Sequence, residues 1–137
     1  MRRHAGLASC NRAIARIRRG APAATIVLIT PPDAWRKQHS VLATEAMAAL
    51  LRRLAMEEGC GLFDWFHLTG GRERLPAWRD AGLASKDLIH LTAPGYRIKA
   101  RLLLTAFEQT AAWLESHPQG QRLEVEAWRP PGGSKAP

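Results

Sequence analysis

The sequence predicts an α/β domain, and three observations carry that prediction. Two short apolar runs, at 25–30 and 60–66, have the length and composition of β-strands. Apolar residues spaced three and four apart precede the first run, separate the two runs and recur near the end of the chain. An order of helix, strand, helix, strand is typical of a parallel sheet with right-handed crossover connections.

The first helix is expected over residues 4–19. Its apolar residues recur at helical spacing and are Leu7, Cys10, Ile14 and Ile17. Gly20 and Pro22 favour a helix end at this point. The run 25–30 that follows is continuously apolar and rich in β-branched residues, which predicts a strand buried on both faces. Two prolines and Asp33 end it, because proline cannot extend a central strand.

The second helix is expected over residues 40–58. Ser40 is a plausible N-cap, and Gly59 supplies the C-terminal stop. The apolar stripe comprises Ala43, Met47, Leu50, Leu51 and Leu54. The run 60–66 then predicts the second strand, which should end near Asp64.

A long connection at 67–93 contains one weak helical pattern, at 75–81. Long irregular connections in compact domains are often functional. The last helix is expected over 94–116, with Pro94 in its first turn, where the missing N–H costs nothing. Its predicted apolar stripe is Tyr96, Ala100, Leu103, Phe107, Ala111 and Leu114.

The end of the sequence is less regular. Residues 123–128 fit either a short edge strand or no regular structure, and 129–137 are rich in proline and glycine, which predicts a disordered tail. Three helices with only two good strands leave a sheet with uncovered edges and faces. We therefore expect residues 1–128 to be the C-terminal portion of a larger α/β domain.

Charge suggests one alternative class of function. The net charge is +8 and the pI about 10.7, which are values that a nucleic-acid partner would explain. The basic residues, however, are spread along the helices among apolar residues, and the sequence has no aromatic-plus-basic RNA motif and no zinc-finger spacing. A nucleic-acid partner is therefore not the favoured interpretation.

Cysteine and histidine spacing predicts neither a metal site nor a cofactor. Cys10 and Cys60 belong to no C-x-x-C motif, and free thiols are the favoured interpretation, with a disulfide left open. Three other histidines, His4, His39 and His117, have no ligand spacing with other donors. His67 follows the second predicted strand, where α/β sites often lie, but a loop histidine without a partner is more often structural. No run approaches the roughly 20 apolar residues of a membrane span. No signal peptide is recognised, and this leaves the compartment open.

Further residues have both a structural and a functional interpretation. Asp33 and Asp64 stand at predicted strand ends, where capping is favoured over a role in a shared crevice. Packing is the default for the tryptophans, although they could line an acyl or sugar site; they are Trp35, Trp65, Trp78, Trp113 and Trp128. The stretch 70–72, Gly-Gly-Arg, is favoured as a turn over a phosphate-binding loop.

The segment with a chemical pattern is 87–96, Asp-Leu-Ile-His-Leu-Thr-Ala-Pro-Gly-Tyr. A histidine that acts as a general base needs a hydrogen-bond acceptor on its second ring nitrogen, to set the tautomer and stabilise the imidazolium. Asp87, three residues before His90, can fold back to supply that acceptor if the intervening residues turn. The spacing alone is common, and a histidine considered by itself is more often structural.

This segment resembles the last block of the SGNH (GDSL-type) hydrolases, which follows the pattern D-x-x-H-L-(T/S)-x-x-G-Y. Residues 78–86 are similar to the approach to that block in bacterial members related to peptidoglycan and carbohydrate esterases. Residues 26–33 are similar to the penultimate core strand of the family and its exit. The resemblance extends over about residues 5–116, and only the final block is a specific match.

The resemblance implies a partial flavodoxin-like α/β/α fold that lacks its N-terminal strands. It also implies hydrolysis of carboxylic esters, such as O-acetyl esters of carbohydrates, with His90 as base and Asp87 as its orienting carboxylate. The family's serine nucleophile stands in a Gly-Asp-Ser block, and part of its oxyanion hole in a G-x-N block. Neither block is present, since no serine follows Gly-Asp and Asn11 lies inside the first predicted helix.

Two expectations follow from the missing blocks. The chain is inactive alone and becomes an esterase only when the nucleophile half is supplied; otherwise it is a non-catalytic remnant or binding module of the same fold. In either case an exposed sheet edge is available for self-association or for a partner chain.

Overall fold

The computed structural model describes residues 2–117, with side chains described from residue 8 onward. Its elements in chain order are α1 (Arg2–Gly20), β1 (Val27–Ile29), β2 (Trp35–Arg36), β3 (His39–Ser40), α2 (Leu42–Glu58), β4 (Gly61–Phe63), α3 (Trp65–Leu68), α4 (Leu75–Asp80) and α5 (Ala93–Ser116). The structure is mixed α/β, with helices predominating. The suggested strand at 123–128 and the tail at 129–137 lie outside the described residues.

The two predicted strands form a parallel pair. β1 and β4 are aligned with Val27 opposite Gly61 and Ile29 opposite Phe63. Helix α2 connects them and packs against both strands and against α1. The predicted order of helix and strand is therefore confirmed up to Phe63.

The prediction that β1 is buried on both faces is wrong for the described residues. Ile29 is 42% exposed, and Leu62 on β4 is 40% exposed. The sheet to which these strands belong has two strands among residues 2–117. A strand is buried on both faces only where neighbouring elements cover both faces of its sheet.

A short antiparallel hairpin, β2–β3, follows β1 and was not predicted. Trp35 pairs with Ser40, and Arg36 pairs with His39. The two turn residues, Lys37 and Gln38, have φ of 52° and 63°, a conformation that favours glycine or asparagine. Their side chains therefore gave no hairpin signal in the sequence.

Ser40 does not cap α2, contrary to the sequence prediction. The helix begins at Leu42 with Val41 at the N-cap position and no side-chain cap hydrogen bond. Ser40 is buried and donates its hydroxyl to Asp33 instead. The C-terminal prediction is confirmed, since Gly59 adopts the left-handed conformation with φ 59° and ψ 39°.

The predicted second strand is shorter than 60–66, because Asp64 starts a helix. The side chain of Asp64 accepts a hydrogen bond from the amide of His67 and caps α3. The weak helical pattern at 75–81 is confirmed as α4.

The core lies beside the carboxyl ends of the two strands, beneath the segment that contains His90. Its buried members are Phe63, Trp65, Leu75, Trp78, Ala84, Leu88 and Leu91. Helix α5 contributes Ile98, Leu102, Leu103 and Ala106 to this core. The predicted stripe of α5 is therefore wrong for Tyr96, Phe107 and Leu114, which are 50%, 51% and 54% exposed.

Candidate active site

Asp87 and His90 form a hydrogen-bonded pair at the surface. Oδ2 of Asp87 lies 2.6 Å from Nδ1 of His90. An ionised carboxylate only accepts hydrogen bonds, so Nδ1 of His90 is the donor. In the neutral imidazole the proton is then on Nδ1, and Nε2 has a free lone pair. The His90 side chain is 68% exposed, and Nε2 makes no hydrogen bond to any residue in the range 2–117.

Leu88 is the residue that turns the chain so that Asp87 faces His90. Its φ is 54°, a left-handed conformation that costs a branched side chain about 1–2 kcal/mol. The Leu88 side chain is buried in the core, which contributes about 1.5–3 kcal/mol and offsets that cost. Core packing of Leu88 thus stabilises a backbone turn that its residue type disfavours.

The other carboxylate oxygen of Asp87 fixes the turn. Oδ1 accepts hydrogen bonds from the amides of Ile89 and His90, both at 3.0 Å. The hydrogen bond from the His90 ring, together with those from the two amides, lowers the pKa of Asp87 from 3.8 to about 2. Asp87 is therefore ionised at neutral pH and able to stabilise a protonated His90.

Backbone hydrogen bonds hold this loop on three sides. The amide of Ser85 donates to the carbonyl of His90, and the amide of Trp35 donates to the carbonyl of Leu88. Ala84 and Leu91 form an isolated antiparallel bridge. The pair thus stands on a rigid support although both of its side chains are exposed.

The start of α5 fixes the C-terminal side of the loop. The hydroxyl of Thr92 donates to the carbonyl of Gly82 at 2.7 Å and accepts from the amide of Gly95. Thr92 is therefore the N-cap of α5, and Pro94 occupies its first turn. Gly95 is buried against Leu83, where there is no room for a side chain. The Leu-Thr-x-x-Gly part of the pattern therefore has a mechanical role in orienting His90.

Asp33 has the structural role that the sequence favoured. It is buried, and its Oδ2 accepts hydrogen bonds from the hydroxyl of Ser40 at 2.7 Å and from the amide of Glu73 at 2.9 Å. Its Oδ1 accepts from the amide of Ala34. Asp33 therefore joins the hairpin to the segment before α4, and no other carboxylate is hydrogen-bonded to it in the described part of the chain.

Asp64 is also a structural group. Besides capping α3, it accepts hydrogen bonds from the Arg52 guanidinium at 2.5 and 3.1 Å and from the hydroxyl of Thr30 at 3.0 Å. Burial raises the pKa of Asp64, but these hydrogen bonds outweigh burial and hold the pKa below its ordinary value. Asp33 and Asp64 thus belong to two separate hydrogen-bond networks, and neither contacts His90.

The described serines do not supply a partner for Nε2 of His90. Ser40 is bonded to Asp33, Ser85 donates to the carbonyl of Leu91, and Ser116 bonds within the last turn of α5. Ser9 lies on the exposed side of α1. Among the side chains of residues 8–117, no serine is therefore hydrogen-bonded to the Asp87–His90 pair.

The remaining candidates are structural or isolated. Trp65 and Trp78 are fully buried and pack edge to face, whereas Trp113 stacks on His117. Cys10 and Cys60 are free thiols. Among the described residues, no group of three His, Cys, Asp or Glu side chains could hold a metal ion, and no helix is long and apolar enough to cross a membrane.

Sequence reasoning missed one group that bears on the site, the β2–β3 hairpin. It contacts the His90 loop through Trp35, and Asp33 holds its other strand. The Pro-Pro-Asp sequence before it marked only the end of β1, and Lys37 and Gln38 carry no turn signal. A hairpin strand adjacent to the candidate base was therefore found only in the structure.

Comparison with known proteins gives one informative match. Residues covering 76% of this chain match a solved structure of a peptidoglycan O-acetylesterase, with a TM-score of 0.67 and 27% sequence identity. The chain resembles an SGNH-type esterase. No family model matches the chain, and no curated protein does.

The match is partial with respect to the other protein. This chain spans 32% of the length of the peptidoglycan O-acetylesterase. The similarity supports an esterase-like hydrolase and agrees with the resemblance that segment 87–96 indicated.

Proposed function

We propose that this chain is the base half of an SGNH-type serine esterase. In this proposal residues 1–128 are the C-terminal part of a flavodoxin-like α/β/α domain, and Asp87 and His90 are two members of a Ser-His-Asp triad. The observation that carries the proposal is the 2.6 Å contact between Oδ2 of Asp87 and Nδ1 of His90, which leaves Nε2 free and exposed. The similarity to a peptidoglycan O-acetylesterase supports the choice of ester chemistry.

The chemistry follows from the free Nε2. A serine hydroxyl from a segment outside these 137 residues would donate its proton to Nε2 as its oxygen attacks the ester carbonyl carbon. His90 becomes an imidazolium, which the ionised Asp87 stabilises. The tetrahedral intermediate collapses, His90 returns the proton to the leaving alcohol oxygen, and an acyl-serine forms. Water, deprotonated by the same Nε2, then releases the carboxylic acid and restores the serine.

Exposed apolar surface supports the need for a second half. A groove of about 350 Å³ lies between the strands and the C-terminal half of α5. Its walls include Val27, Leu62 and Leu103, together with the half-exposed Phe107 and Leu114. Apolar surface of this kind is what the missing strands of an α/β/α domain would cover. We propose that the segment with the nucleophile and oxyanion donors packs here and beside β1.

Complementation tests the proposal. The full chain would be mixed with an N-terminal segment of an SGNH esterase that contains its Gly-Asp-Ser and G-x-N blocks, and acetate release from O-acetylated peptidoglycan fragments would be measured. Turnover is expected only in the mixture. It should be lost with His90→Ala and retained with Ile89→Ala, a matched control in the same loop whose side chain is 49% exposed.

Two results would contradict the proposal. Labelling of the chain alone by a serine-directed phosphonate, abolished by His90→Ala, would show a nucleophile within these 137 residues. Association of the two segments by size exclusion, without turnover, would remove the catalytic role of His90.

The second candidate is a non-catalytic binding module of the same fold. It is favoured by one observation, namely that no described serine contacts Nε2 of His90. It predicts a folded chain without turnover that pairs with itself or a partner along the exposed sheet edge. A monomeric, poorly folded chain in size exclusion and circular dichroism would argue against it.

A further inference from the structure

The β2–β3 hairpin and the start of α2 border a surface cavity of about 470 Å³ that is open to solvent. Its lining residues are Arg36, Lys37, His39, Ser40, Val41 and Leu42. Three of them have basic side chains, and Val41 and Leu42 provide an apolar wall. Cations beside a small apolar surface are suited to a sugar that has an anionic substituent, because the ring presents C–H groups and the substituent a charge.

The cations in this cavity are not neutralised by neighbours. The side chains of Arg36 and Lys37 are exposed and form no salt bridge or hydrogen bond with a described residue. By contrast, Arg18 and Arg52 are paired with Glu58 and Asp64. A carboxylate that entered the cavity would therefore meet donors with no competing acid, and a guanidinium can bind it with two parallel hydrogen bonds.

His39 adds a complementary group. Its Nδ1 lies 2.8 Å from the carbonyl oxygen of Lys37, and a carbonyl only accepts, so Nδ1 is the donor. In the neutral ring Nε2 is then an acceptor, which suits a sugar hydroxyl. The cavity thus offers cations to an anion and an acceptor to a hydroxyl.

The hairpin is held rigidly in spite of its exposed turn. The amide of Val41 donates to the carbonyl of Ala34 at 2.7 Å, and the hydroxyl of Ser40 donates to the buried Asp33. Lys37 and Gln38 are held at positive φ, the conformation of a two-residue hairpin turn. Because the hairpin backbone is already fixed, ordering on binding is confined to the side chains.

The hairpin adjoins the candidate base. The amide of Trp35 donates to the carbonyl of Leu88 at 3.0 Å. Arg36 follows Trp35 directly, and Leu88 lies two residues before His90. Standard bond lengths therefore limit the separation of the Arg36 and His90 Cα atoms to no more than about 19 Å. The cavity and the candidate base are therefore separated by no more than the length of a short oligosaccharide.

We propose that the cavity is a subsite for a carboxylate-bearing sugar of the glycan on which the site acts. Arg36 and Lys37 bind the carboxylate, Nε2 of His39 accepts a sugar hydroxyl, and Leu42 contacts the ring. The role of this subsite in selecting the ester substrate rests on the proposed function. Binding itself does not, because it requires neither His90 nor a nucleophile.

Binding by the full chain tests the subsite. Trigalacturonic acid would be titrated while calorimetry and amide chemical shifts are followed, with the neutral galactose trisaccharide as the uncharged comparison. We expect shifts at Arg36, Lys37 and Leu42, affinity at least about tenfold weaker for the neutral sugar, and affinity that falls as salt rises. The variant R36A/K37A should lose at least about tenfold in affinity.

The matched control is R12A/R16A, which removes the same charge from the exposed face of α1, where neither side chain has a described partner. It should change affinity less than about twofold. Equal loss in both variants would reduce the effect to net charge and overturn the subsite. So would equal affinity for the neutral sugar, or amide shifts confined to residues that do not line the cavity.

Competing ligands distinguish other sources of negative charge. Inorganic phosphate that displaces the uronide at equal concentration would assign the cavity to a phosphate group instead. Tighter binding of single-stranded RNA through the same residues would replace the proposal with a nucleic-acid interface. If His90→Ala leaves binding intact and complementation gives no turnover, the esterase proposal fails while the subsite stands.

Discussion

A Cβ atom added to Gly95 would overlap the carbonyl oxygen of Leu83. That carbonyl accepts a hydrogen bond from the amide of Thr92, the residue that caps α5. The first turn of α5 therefore packs directly on the backbone that supports the His90 loop, and this close approach depends on a residue without a side chain.

Gly95→Ala is expected to destabilise the chain although alanine favours helices. The added methyl group must displace backbone, and overpacking of this kind costs about 1–3 kcal/mol. Gly20→Ala is the matched control, because nothing lies within 4 Å of a Cβ there. Urea unfolding of both variants checks the prediction, and equal midpoints would contradict it.

Asp87→Asn is expected to weaken the contact with His90 and leave the fold intact. An amide oxygen still accepts from Nδ1 but no longer stabilises an imidazolium by charge. Nitrogen-15 spectra of the His90 ring check this prediction. In the wild type the Nδ1 resonance should be that of a protonated nitrogen, and Asp87→Asn should change its chemical shift. An unchanged spectrum would show that the carboxylate does not determine the state of the ring.

The lowered pKa of Asp87 predicts how the pair responds to acid. Its folded pKa of about 2 lies below the ordinary 3.8, so the hydrogen-bonded turn is favoured above 3.8 and weakens as the pH falls toward 2. Amide shifts of Ile89 and His90, which follow the folded state, should therefore move together with a midpoint at about pH 2. Movement centred at 3.8 or above would contradict the contacts, and Asp87→Asn should show no such step.

Leu88→Ala is expected to destabilise the turn that holds Asp87 against His90. The substitution keeps the left-handed backbone and removes the buried side chain that compensates for it, at a cost of about 2–5 kcal/mol. Ile89→Ala, one residue further and half exposed, should cost less than about 1 kcal/mol. Thermal unfolding gives both values. A stable Leu88→Ala variant with an unaltered His90 ring spectrum would show that packing does not hold the turn.

The sequence predicted what depends on local chemistry. The contact between Asp87 and His90 requires only a turn over two residues, and Gly59 ends α2 because a left-handed residue is needed there. The parallel pairing followed from strand, helix and strand in succession. The first two features are specified by residues close together in the chain, and the strand pairing by the order of the elements.

Other features depended on a choice between alternative partners or faces, which the sequence does not resolve. As an N-cap, Ser40 would accept a hydrogen bond from an amide of α2. Instead its hydroxyl donates to the buried Asp33 and accepts from the amide of Glu73. Helix α5 has two apolar faces at helical spacing, and tertiary packing selected the face with Ile98 and Leu102. The apolar run of β1 indicated burial, yet Ile29 is 42% exposed, because the sheet of β1 has two strands among residues 2–117.

Ser40→Ala is expected to remove a buried hydrogen bond and, through it, to alter the backbone near the candidate site. Asp33 would lose the donor at 2.7 Å, and an acceptor left short of a partner in a buried position costs about 1–3 kcal/mol. Asp33 also holds the strand that pairs with Trp35, and Trp35 donates to Leu88. Ser40→Ala should therefore lower the urea midpoint and shift the amides of Trp35 and Ile89.

Ser9→Ala provides the comparison, because Ser9 lies exposed on α1. It should leave both the midpoint and those amides unchanged. If Ser40→Ala lowers stability without moving the amide of Trp35, Asp33 stabilises the hairpin but does not communicate with the His90 loop. If the Trp35 and Ile89 amides shift together, the buried Asp33–Ser40 pair helps to set the position of the base, and an uncharged hydroxyl remote from His90 contributes to its orientation.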